Sequence, residues 1–151
     1  MKILIVSQYF WPENFRINDL TLNLKKQGYD VKVLTGEPNY PDGNIYKEYL
    51  KNKNFYERFK NIKIYRVPII KRGKGKRFNI FSNYLSFNIT SIILGYFKFK
   101  NEKFDYILTF GTSPITSALT SIFLAKLTGA KHVLWMLDLW PEVVFELKII
   151  K

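Results

Sequence analysis

Cysteine is absent from this chain of 151 residues, which excludes a disulfide framework and any thiolate metal site. Nothing at the N-terminus resembles a cleaved signal peptide, so a cytosolic location is the expectation. Two glycine signatures are missing as well. No Gly-x-Gly-x-x-Gly follows the first apolar run, which leaves a nicotinamide or flavin site in a poor position. The segment Lys71-Arg72-Gly73-Lys74-Gly75-Lys76-Arg77 has glycines and lysines but not the Gly-x-x-x-x-Gly-Lys-Ser/Thr order of a phosphate-cradling P-loop. What the chain does have is apolar content, 47% of its residues, enough for one domain with a real core.

Carboxylates are scarce: 12 Asp and Glu stand against 24 Lys and Arg, for a net charge of +12. The excess is concentrated. Lys47–Arg77 holds 12 of the basic residues against Glu48 and Glu57 only. Two readings are open. Either this is a surface that meets anions such as phospholipid headgroups, a pyrophosphate-linked substrate or nucleic acid, or it is a solvated loop in a chain whose Lys, Asn, Ile, Phe and Tyr content reflects AT-rich coding. No nucleic-acid-binding motif accompanies the charge, so nucleic acid is not an expected partner.

Strands and helices alternate along the chain. Lys2–Ser7 is a buried-strand run, and Ile17, Leu20, Leu22 and Leu24 fall mostly on one face of a helix that Gly28 stops. Asp30–Thr35 reads as a second strand and Gly36–Gly43, with two prolines and two glycines, as a loop. Ile62–Val67 alternates and ends at Pro68, as suits a strand near a sheet edge. Phe78–Phe97 has no charge and the length of a membrane span, but Asn79, Asn83, Asn88 and several Ser and Thr interrupt it. A helix packed on the sheet is favoured there over an interfacial helix beside the basic segment, and both over a true span. Asp105–Thr109, a helix over Ile115–Thr128 with apolar residues at 115, 118, 119, 122 and 123, and His132–Leu137 complete the pattern. The fold expected is α/β, a doubly wound Rossmann-like parallel sheet. His132 begins a strand and is read as structural.

The loops Tyr9–Arg16, Phe110–Pro114 and Asp138–Glu142 would then share the carboxyl edge of the sheet, where such folds bind ligands. In the first of them Glu13, Asn14, Arg16 and Asn18 form a dense polar set beside a helix N-terminus, which favours anions. The structural alternative has Asn14 as the helix cap and Arg16 solvated.

In three stretches, Tyr9–Asp19, Thr35–Gly43 and Asp138–Glu142, the chain resembles the N-terminal half of family 4 glycosyltransferases that build bacterial surface polysaccharides, in particular the colanic acid and fucosamine transferase-like subfamily. The resemblance runs over essentially the whole chain. It implies the N-terminal domain of a GT-B architecture, with the C-terminal donor domain missing from this sequence and activity of the chain alone therefore not expected. It also implies retention of anomeric configuration, no obligatory metal, no cofactor beyond the nucleotide-sugar donor, and acceptor saccharides carried on a lipid at the inner membrane face. The implied location is cytoplasmic, peripheral to that membrane. Carried over residue by residue, Glu13, Asn14, Arg16 and Asn18 face the donor phosphates and acceptor, with Arg16 the anion contact. Thr112 and Ser113 offer hydroxyls and backbone N–H groups before a helix, and Asp138, Trp140 and Glu142 line the cleft, the indole able to stack on a sugar ring. Many retaining members carry a histidine where this chain has Phe110-Gly111-Thr112-Ser113-Pro114, so no catalytic base is assigned. The alternative function is a non-catalytic binding or scaffold module that partners a separate donor-domain chain.

Overall fold

Ile3–Val6 is buried on both sides because its strand, β1 (Lys2–Ser7), lies between two others at the middle of a sheet. A strand covered on both faces needs an unbroken apolar run rather than alternation. The computed structural model describes residues 1–111 and 115–137. After β1 come α1 (Arg16–Lys26), β2 (Asp30–Gly36), α2 (Lys47–Lys51), a 3₁₀ turn (Lys53–Glu57), β3 (Arg58–Phe59), β4 (Ile62–Val67), α3 (Arg77–Phe99), β5 (Tyr106–Gly111), α4 (Ser117–Thr128) and β6 (Lys131–Met136). The sheet order is β3-β4-β2-β1-β5-β6, parallel throughout except for β3, which runs antiparallel to β4.

The chain therefore winds outward from β1 to β4, then returns to the other side of β1 to add β5 and β6. That reversal puts helices on both faces. Ile17 of α1 packs with Ile3, Ile5, Val31 and Val33 on one face, while Phe87 and Phe99 of α3 and Leu124 of α4 pack with Leu4, Val6, Leu34 and Val67 on the other. The result is an α/β domain, a mostly parallel six-stranded sheet flanked by helices, compatible with a Rossmann-like fold. α1 ends as its glycine predicts: Gly28 adopts φ +87°, and the N–H groups of Gly28 and Tyr29 bond to the carbonyls of Lys25 and Leu24 at 3.1 and 3.2 Å.

Four local expectations are corrected. The residue capping α1 is Phe15, in extended conformation and without a side-chain hydrogen bond, and not Asn14. The stretch between the second loop and β4 is not featureless: it forms α2, the 3₁₀ turn and β3, whose hairpin to β4 turns on Lys60 and Asn61, both left-handed. Phe110 and Gly111 belong to β5 rather than to the loop after it. In α4 the apolar positions point the other way: Leu119, Ile122 and Phe123 are exposed, and the buried residues are Ser117, Thr120, Ser121, Leu124 and Ala125.

The same inversion explains the polar residues of α3. Asn83, fully buried, accepts from Gln8 Nε2 at 2.7 Å and donates to the Ile70 carbonyl at 2.6 Å, and Thr90 donates to the Pro68 carbonyl at 2.9 Å. Ser91 Oγ lies 2.7 Å from Thr120 Oγ1 of α4. α3 is thus a helix packed on the sheet, latched through its polar side. Among the described residues no helix is long and apolar enough to cross a membrane.

Candidate ligand site at the carboxyl edge

The parallel register brings the last residues of β1, β2, β4 and β5 to one edge of the sheet, so the loop after β1 and the loop after β2 are neighbours. The loop after β1 also stands where the strand order reverses between β1 and β5, the usual crevice of a doubly wound sheet. Glu13 joins the two loops. Its carboxylate accepts from the backbone N–H of Phe10 at 3.1 Å in the first loop, and from those of Asn39 and Tyr40, both at 2.8 Å, in the second. The side chain is 2% exposed. Burial pushes its pKa up to about 7, although the three N–H groups and nearby Arg66 favour the charged form.

Asn18 finishes the first loop from inside. Its Oδ1 accepts from the Trp11 N–H at 3.1 Å and its Nδ2 donates to the Glu13 carbonyl at 2.7 Å. Arg66 of β4 secures the other side, donating to the carbonyls of Gly36 at 2.9 Å, Tyr56 at 3.2 Å and Trp11. Burial lowers its pKa to about 10. Three consequences follow for the residues expected in the site. Glu13 and Asn18 are buried with their polar atoms engaged within the protein, so they shape the loop. Asn14 and Arg16 are exposed, and Arg16 opens α1 at an N-terminus that no side chain caps. Thr112, Ser113, Asp138, Trp140 and Glu142 lie outside the described residues.

Aromatic side chains of the two motif stretches, with Arg72, complete the edge. Tyr9 stacks on Phe15 with centroids 5.2 Å apart, Tyr40 closes on both rings, and Arg72 from the basic segment donates to Tyr9 Oη at 3.2 Å and lies over the Tyr40 ring. Burial raises the Tyr9 pKa well above the ordinary phenol value, so the hydroxyl stays protonated. Asn39 is fully buried, and among the described residues its Oδ1 has no hydrogen-bond partner. A cavity of about 450 Å³ lies between Pro68–Ile70 and the first half of α3. A second, of about 630 Å³, opens beside the second loop, with Asp42, Tyr46, Lys47 and Lys71 in its wall. The basic segment is held against the second loop where Gly43 meets Gly73. Their backbones abut, Gly73 N–H donating to the Gly43 carbonyl at 3.0 Å, and a Cβ on Gly43 would stand 2.3 Å from the Gly73 oxygen.

Gly43 also holds φ +76°, a left-handed conformation that side chains oppose. Gly43→Ala is therefore expected to destabilise the domain by about 1–3 kcal/mol and to part the basic segment from the second loop. Chemical denaturation and limited proteolysis at Lys71–Arg77 test this. An alanine variant as stable and as protease-resistant as the parent would show that the contact is dispensable.

His132 of β6 is not at this edge cluster; its Nε2 shares a hydrogen bond with Thr109 Oγ1 at 2.8 Å, and burial lowers its pKa, which keeps the ring neutral. Among the described residues no group of His, Asp and Glu is arranged to hold a metal ion.

No family model and no curated protein matches the chain. Its fold is similar to that of the C-terminal domain of a hydrogenase from Pyrococcus furiosus, in crystal structures covering residues 78–226 and 83–215 of that protein. The TM-score is 0.56 with each, at 16% and 19% identity, over 88% and 89% of this chain and 89% and 90% of theirs. At such identity the likeness speaks for the fold alone.

Proposed function

We propose that this chain is the acceptor-side domain of a retaining GT-B glycosyltransferase, which moves a sugar from a nucleotide-sugar donor to a saccharide carried on a lipid diphosphate in cell-surface polysaccharide synthesis. One observation supports this reading above the others. Two of the three stretches that carry the resemblance are separated in sequence, yet Glu13 ties them into a single rim at the switch point of the sheet. A site for a phosphorylated sugar is concave, partly aromatic and cationic. The rim offers Tyr40 and the half-buried Phe15, backed by the buried Tyr9, and the neighbouring cavity has Lys47 and Lys71 in its wall beside Asp42 and Glu48.

On this reading the protein's work is positioning and electrostatics. Arg16, exposed at the uncapped start of α1, presents a planar fork to phosphate oxygens where negative charge develops on the leaving group. Lys47 and Lys71 hold the acceptor diphosphate, and the aromatic rim orients its first sugar. Glu13 and Asn18 act as positioning residues that keep the loop carrying Arg16 in place. The donor is held mainly by a second Rossmann-like domain, and the enzyme works at the cytoplasmic face of the membrane that holds its acceptor.

The test is a ¹⁵N NMR titration of the protein with a water-soluble short-chain prenyl diphosphate bearing one sugar. Shifts are expected in Tyr9–Ile17, Pro38–Gly43 and Lys71. Lys47→Ala with Lys71→Ala should weaken binding by about 10-fold or more at unchanged Tm, as loss of charge-assisted contacts implies. In the complete enzyme Arg16→Lys should lower kcat/KM by roughly 10-fold or more, since the charge remains and the fork does not, and Arg16→Ala should lower it further. Shifts confined to other surfaces, full affinity in the lysine pair, or full activity in Arg16→Ala would refute the assignment of this edge.

A further inference from the structure

The outer surface of the α3–α4 layer has the composition of an interior. Along the 23 residues of α3 the side chains of Phe78, Phe81, Leu85, Ile89, Ile93 and Tyr96 recur every three or four positions and are exposed, Phe78 by 77% and Phe81 by 62%. Such spacing forms one stripe along the helix. Beside it α4 turns Leu119, Ile122 and Phe123 outward, opposite the buried face through which it meets α3 and the sheet. The groove between Pro68–Ile70 and Leu85 and Ile89, about 450 Å³, opens on the same side. A contiguous apolar face of this kind marks an interaction surface.

Charge identifies what covers it. The exposed Lys71, Lys74, Lys76 and Arg77 precede the stripe, Lys98 and Lys100 follow it, and from Arg58 to Asn101 the sequence has no carboxylate. A second copy of the chain seated on this stripe would bring cations against cations in either orientation. An anionic lipid surface answers both features at once, since headgroups neutralise the ends and the acyl boundary accepts the stripe. We propose that the outward face of α3 and α4 docks on an anionic membrane surface, with α3 lying parallel to the bilayer plane and Lys71–Arg77 against the headgroups. The helix, about 35 Å long by its rise per residue, lies on the membrane and does not enter it end-on, because its inward side is held to the segment after β4 by Asn83 and Thr90 and to α4 by Ser91. Lys71–Arg77 also borders the second loop through Gly43 and Gly73, so docking would bring the carboxyl edge close to the lipid surface. The inference stands on α3 and α4 and does not depend on what the carboxyl edge binds.

The absence of cysteine makes the test clean. Ile93→Cys, and as a control Asp19→Cys on α1 across the sheet, are labelled with an environment-sensitive fluorophore and mixed with vesicles. Vesicles with about 30 mol% phosphatidylglycerol in phosphatidylcholine are compared with phosphatidylcholine alone. The Ile93 label should shift to the blue and be quenched by brominated acyl chains, the Asp19 label should do neither, and binding should fade with added salt. Lys74→Glu with Lys76→Glu, and separately Leu85→Ser with Ile89→Ser, should each lower vesicle affinity by about 10-fold or more. All four positions are solvent-exposed, and circular dichroism verifies the fold. Equal binding to neutral vesicles, an unshifted Ile93 label, undiminished binding of the serine pair, or a lipid-free dimer that already buries the Ile93 label would each overturn the proposal. The soluble ligand titration above needs no membrane, so the two readings fail separately.

Discussion

Replacement of Arg66 by methionine should cost the domain about 3–5 kcal/mol of stability, because it removes one member of a buried polar set and leaves the others without a partner. The guanidinium serves three backbone carbonyls, those of Trp11, Gly36 and Tyr56, and so holds the first motif loop, the end of β2 and the 3₁₀ turn to one strand. Its charge also favours the ionised form of the Glu13 carboxylate. Methionine preserves much of the volume and none of the donors, so the loss reports hydrogen bonding rather than a cavity. Since 1 kcal/mol shifts Tm by about 2–4 °C in a domain of this size, the midpoint should fall by roughly 10 °C. A methionine variant within about 2 °C of the parent would mean that water replaces the guanidinium at no net cost, and that the two loops are held by Glu13 alone.

Glu13 should reveal itself through pH. Its folded pKa of about 7 lies above the ordinary value of 4.5, with burial as the main cause. The folded state therefore binds a proton more tightly than the unfolded state. Stability from this group is fully present below pH 4.5 and is lost as pH rises through about 7. A displacement of that size corresponds to about 3 kcal/mol between the two ends of the window. Urea unfolding at acid and at mildly alkaline pH should show this decline in the parent and not in Glu13→Gln, which cannot ionise. The comparison between the two variants is the measurement, since other groups titrate in both. If the parent instead gains stability relative to Glu13→Gln as pH rises, then the N–H groups of Phe10, Asn39 and Tyr40 outweigh burial and the carboxylate is ionised throughout. Loop geometry would respond in step, because the same three N–H groups join the first loop to the second.

What could be read from the residues alone was whatever local chemistry decides. The unbroken run Ile3–Val6 has only one stable use, a strand covered on both faces, and Gly28 and Gly129 stop their helices because both adopt the left-handed conformation that ends a helix. Alternation of such strands with helices was enough to require an α/β sheet, and it predicted that the loop Tyr9–Arg16 reaches the carboxyl edge, though not that the loop after β2 meets it there. The polarity of the helices misled for the same local reason. In α3 and α4 a periodic pattern shows that two faces differ, but it does not show which face turns inward. Here Asn83, Ser91 and Thr120 go inside, because Gln8, the Ile70 carbonyl and the facing helix supply partners, and the apolar stripe goes out. The candidate site divides along the same line. Arg16 was legible as an exposed cation at a helix start, a property of its own position. That Glu13 is a buried tie between two loops, that Arg66 three strands of sequence away closes the same loop, and that Arg72 meets Tyr9 and Tyr40 depended on which backbone groups the sheet order brings together. A hydrogen bond between residues dozens of positions apart has no signature in either partner's neighbourhood, so only the tertiary structure could decide it.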